Sequence, residues 1–84
     1  MLLTSIKVFA IILYKIREDA IAAFDIVNNL DNAYFQSWLW KARSEEALEK
    51  IDDAIVSIKK AIEIDPESES AKEDLQRLEQ KKQQ

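Results

Sequence analysis

Glycine is absent from this 84-residue chain, and proline occurs once, at Pro66. Turns that need a positive φ are costly without glycine, which disfavours a fold built from β-hairpins. Long helices with tight connections fit better. With 48% hydrophobic and 33% charged residues the chain has the composition of a globular domain rather than a disordered segment. A chain this short buries roughly 60–65% of its unfolded surface, so its core is thin and its stability marginal.

The apolar spacing supports helices. Ala54, Ile55, Ile58, Ala61 and Ile62 share one helix face, and the run ends where Pro66 cannot continue it and pushes Asp65 away from helical geometry. Upstream, Tyr34 or Phe35, Trp38, Leu39 and Ala42 form a second stripe that stops before Asp52, a good N-cap type. After Pro66, Ala71, Leu75 and Leu78 make a narrow stripe on an otherwise polar helix, with Ser70 and Glu73 at capping-box spacing. Helices are predicted over roughly 2–15, 18–30, 35–48, 52–64 and 67–82, an all-α chain of about five helices.

The chain also resembles itself. Displaced by 34 residues, 18–32 falls on 52–66 with Asp19/Asp53, Ala20/Ala54, Ile21/Ile55 and Asp31/Asp65 identical. Phe24/Ile58, Val27/Ala61 and Leu30/Ile64 are apolar in both copies. A helical hairpin repeated at 34 residues resembles the tetratricopeptide repeat family, and Trp38, Ala42, Ala54, Ile58, Ala61 and Pro66 carry that family's marks. The resemblance implies one domain over 1–84: repeat 1 at 1–34, with Ala20 and Phe24 in its framework, repeat 2 at 35–68, and a capping helix at 69–84. Antiparallel hairpins would then stack as a short right-handed solenoid. Small residues have a physical job there: Ala42 and Ala54 let two helices approach closely, and Ala61 seats the next layer. Thr4, Val8 and Glu45 depart from the family pattern, Glu45 at a position usually aromatic.

Several functions lack their chemistry. With no histidine or cysteine, the commonest general base, thiolate chemistry and the usual transition-metal ligands are missing. Neither a nucleophile–base pair nor a phosphate loop is recognisable, so no catalytic residue, cofactor or metal site is expected. The net charge is −4, all of it in residues 43–84, and no basic stripe is present for nucleic acid.

Met1–Ile16 carries only Lys7 and Lys15 as charges. It is shorter than the roughly 20 residues that span a bilayer. As a signal peptide its cleavage would destroy the repeat, and its polar wedge is too narrow for an interfacial helix. Burial against protein is the remaining choice, so the opening is expected to self-associate, most simply as a homodimer. The alternatives are that the chain is a piece of a longer repeat protein, or a structural subunit that oligomerises a larger assembly. A cytoplasmic, non-catalytic protein-binding module is the expectation.

Its partner or dimer surface is expected at Leu2, Phe9, Ile12, Leu13, Leu39, Trp40 and Arg43. The resemblance implies a concave wall of first-helix side chains that takes a peptide or a helix. One subset of the family clamps carboxylate tails of chaperones with lysine, arginine and asparagine side chains. Here Ser5, Phe9 and Trp40 stand at three of those positions, so a hydrophobic or amphipathic segment is the expected ligand and the clamp is expected to be absent.

Overall fold

A computed structural model describes the backbone from Leu2 to Gln84 and the side chains from Ile6 onward. Leu2 of the expected partner surface, with Thr4 and Ser5, lies outside the residues whose side chains are described. Among the described residues there are four helices and no strand: α1 (Leu2–Leu30), α2 (Phe35–Ala47), α3 (Ile51–Ile64) and α4 (Glu69–Gln83). Each helix packs on the next, α1 on α2, α2 on α3 and α3 on α4. Short connections make the neighbours antiparallel.

The core lies between α2, α3 and α4. Ala42, Ala54, Ile58, Ala61, Ala71 and Leu78 are fully buried, and Phe35, Trp38, Ile51, Ile55, Ile62 and Leu75 pack around them. The alanines do what their size allows, since four of these buried positions, Ala42, Ala54, Ala61 and Ala71, lack any atom beyond Cβ. Pro66 sits exposed in the connection after α3, where a missing N–H costs nothing.

The expected break at 15–18 is absent: one 29-residue α1 replaces two predicted helices, so the first hairpin is not formed. The physical reason lies in the residues there. Neither glycine nor proline interrupts α1, and Lys15 Nζ reaches Asp19 Oδ1 at 3.4 Å, an i,i+4 pair across the expected turn. The equivalent turn 34 residues later does form. There Glu49 takes φ 62°, its N–H donates to the Glu46 carbonyl, and the Lys50 N–H donates to the Glu45 carbonyl at 2.8 Å. That is a Schellman stop with a glutamate at the left-handed position.

Two helix starts also differ from expectation. Lys50 is the N-cap of α3, so Asp52 and Asp53 lie in its first turn, where their charge is favourable at the positive end of the helix dipole. In α4 the cap is Ser68, whose Oγ accepts from the Ala71 N–H at 3.3 Å, rather than Ser70.

The 34-residue displacement holds in the backbone of the second half-unit. The Ala33 N–H donates to Asp31 Oδ1 at 3.1 Å, and the Glu67 N–H donates to Asp65 Oδ1 at 3.2 Å. The Tyr34 and Ser68 N–H groups donate to the Asp31 and Asp65 carbonyls in the same way. Both connections are therefore the same aspartate-initiated turn.

Candidate protein interaction surface

α1 is twice as long as α2, so its N-terminal half runs past the hairpin that holds its C-terminal half. Phe9 is 63% exposed, and Ile6, Val8, Ile11, Ile12, Tyr14 and Ile16 are each about half exposed or more. Leu13 is half-buried. The apolar surface continues into the packed half at Ile26, Val27 and Leu30, the last 84% exposed. Full burial of such a side chain is worth roughly 1.5–3 kcal/mol, and one left half exposed forgoes about half of that.

The packed half of α1 is held by polar as well as apolar contacts. Ser37 Oγ donates to the Phe24 carbonyl at 3.3 Å, and Lys41 Nζ lies 2.6 Å from Asp25 Oδ1. Asn28 is buried here, and neither its Oδ1 nor its Nδ2 has a hydrogen-bond partner among the described residues. Where α1 meets α2, Phe24, Val27, Tyr34, Gln36, Ser37 and Trp40 line a groove of about 350 Å³.

The residues expected on one binding wall are divided between three places. Phe9, Ile12 and Leu13 lie on the N-terminal half of α1. A continuous helix rises about 1.5 Å per residue, which puts Phe9 roughly 22 Å along the axis from Phe24 and its groove. Leu39 is buried in the core and offers nothing to a partner. Trp40 is half-exposed at the groove; its Nε1 donates to Gln36 Oε1 at 3.2 Å, and the Arg43 guanidinium lies over its ring, 4.9 Å from the centroid. Trp38, by contrast, packs at the core edge and donates from Nε1 to the Asn32 carbonyl at 2.9 Å, with Lys41 Nζ 5.2 Å from its ring.

Arg43 belongs to a charged network that spacing alone did not reveal. Its Nε donates to Asp74 Oδ2 at 2.8 Å. Beside it, Arg77 donates from Nε and Nη2 to the two Glu46 oxygens at 2.8 and 2.7 Å, and Lys81 adds a contact at 3.0 Å. The fork from Arg77 holds the Glu46 carboxyl down at about 2 and pushes the Arg77 guanidinium up. These pairs fasten α4 to α2. Net charge gives no sign of them, since α2 and α4 each carry as many cations as anions.

Glu45 is buried and accepts a 2.6 Å hydrogen bond from Ser57 Oγ. Burial pushes its carboxyl up, while the Ser57 hydrogen bond and Lys41 pull the other way. None of the described helices is long and apolar enough to cross a membrane. No family model, curated protein or solved structure matches this chain.

Proposed function

We propose that this chain is a non-catalytic protein-interaction module of the tetratricopeptide type that self-associates through the apolar surface of α1. The observation that carries this reading is the length of exposed apolar helix from Ile6 to Ile16. Left wet, those side chains forfeit free energy comparable to the roughly 5–15 kcal/mol that holds a whole domain folded. A second copy recovers it. The α2–α3 hairpin, the α4 cap and the aspartate turn repeated 34 residues apart support stacking as a short solenoid.

A hydrophobic or amphipathic partner segment is the second ligand in this reading, supported by the apolar groove at Phe24, Val27 and Trp40. The double substitution Phe9→Glu with Ile12→Glu separates self-association from partner binding. Both residues are exposed, so circular dichroism should report an unchanged fold while sedimentation reports loss of assembly. Assembly that survives both charges would sink the proposal.

A further inference from the structure

We infer that two copies pair their α1 helices antiparallel about a two-fold axis at residue 18, with Phe9 of each copy seated at the Val27 edge of the other's groove. The inference rests on the self-association proposed above and adds its geometry. On the packed half of α1, Ile21 and Phe24 are half-buried and Asn28 is buried, and Ser37 of α2 donates to the Phe24 carbonyl. One residue before each stand Ala20, Ala23 and Val27, rotated about 100° around the axis, Ala20 half-buried and Ala23 and Val27 exposed. Their flank continues backwards through Ile16, Leu13, Phe9 and Ile6, and forwards to Leu30.

These positions alternate by three and four residues, the spacing of a coiled-coil seam. The seam is also asymmetric in size, with large side chains before residue 18 and smaller ones mostly after it. Laid antiparallel about that point, Ile16 meets Ala20, Leu13 meets Ala23, Phe9 meets Val27 and Ile6 meets Leu30. Large faces small in three of the four layers, which is the interdigitation that dense packing needs. A parallel pair would instead stack Phe9 on Phe9 and leave Ala20 and Ala23 facing each other across a gap. Val27 also lines the groove, so the register delivers an aromatic ring to an apolar hollow already bordered by Phe24 and Trp40.

The area is adequate. The seam exposes on the order of 500 Å² per copy, and a pair buries about 1,000 Å², the size at which specific interfaces begin. Both ends of the seam are among the most exposed apolar positions of the described residues, Ile6 at 63% and Leu30 at 84%.

The absence of cysteine makes any introduced thiol unique, so spin labels can be placed singly at Lys7→Cys or Asn29→Cys, on the polar side of α1. Antiparallel pairing separates two Lys7 labels by about 22 residues of axis, roughly 33 Å, and two Asn29 labels by the same span. A mixed sample of the two variants gives a short distance between unlike labels. Short distances between like labels would overturn the register while leaving self-association standing. No dipolar coupling in any sample would remove both. As a packing check, Phe9→Ala should weaken the dimer at least tenfold, whereas Ile11→Ala, 68% exposed but off the seam, should change it less than twofold. Equal weakening by the two would mean unspecific apolar association and would also overturn the register.

Discussion

Ser57 Oγ donates a 2.6 Å hydrogen bond to Glu45 Oε1, so a buried polar pair joins α2 to α3. The raised Glu45 pKa means that its ionised form opposes the fold. That burden is absent below the ordinary value of 4.5 and is fully felt once pH has risen through the folded value. Glu45→Gln keeps an acceptor for Ser57 without a buried charge, so at pH 7 it should leave stability unchanged or raise it. Glu45→Ala strands the Ser57 hydroxyl and should cost about 1–3 kcal/mol. Urea midpoints of the two variants check the contrast.

Glu46 responds to pH in the opposite sense. Its carboxyl is held at about 2 against an ordinary 4.5, so the stabilisation is present above 4.5 and lost as pH falls toward 2. Arg77 is 46% exposed, and solvent screening leaves about 1 kcal/mol. Glu46→Gln should cost that much at pH 7 and flatten the acid limb of stability between pH 4.5 and 2. High salt should shrink the difference between variant and parent.

Asn28 is buried with its amide unpaired among the described residues, while its counterpart one repeat later, Ile62, packs against the core. Replacing Asn28 by Ile should raise stability by about 1–2 kcal/mol, since a buried unpaired amide costs that much. A lower urea midpoint would show that the amide does a polar job in the intact assembly.

Lys15 and Glu49 are equivalent in the repeat but opposite in conformation, the first inside α1 and the second at φ 62°. Glycine should therefore help one and harm the other. Glu49→Gly relieves a left-handed glutamate and should gain about 1 kcal/mol. Lys15→Gly should lose a similar amount and reduce helicity, because it weakens the middle of a helix. A gain at both sites would mean that α1 folds back as a hairpin.

How much of this was readable in advance follows from what each residue needs. The α2–α3 hairpin was legible because Ala42, Ala54, Ile58 and Ala61 recur at helical spacing and all four are buried. The end of α3 was legible because Pro66 admits little else. The continuity of α1 was not, because the repeat places a turn at Lys15 while its local chemistry, with no glycine or proline and an i,i+4 pair to Asp19, favours helix. Leu39, expected on the partner surface, is buried, since its helical spacing does not say which neighbour covers it. The Glu46–Arg77 fork joins residues 31 apart in sequence, and only the packing of α4 beside α2 brings them together.

Sedimentation equilibrium of the unmodified chain across the micromolar range reads most directly whether the apolar face of α1 is sheltered by a second copy. Self-association predicts a species of twice the 9.7 kDa chain mass that dissociates on dilution. A single 9.7 kDa species that keeps its helicity at every concentration would contradict it.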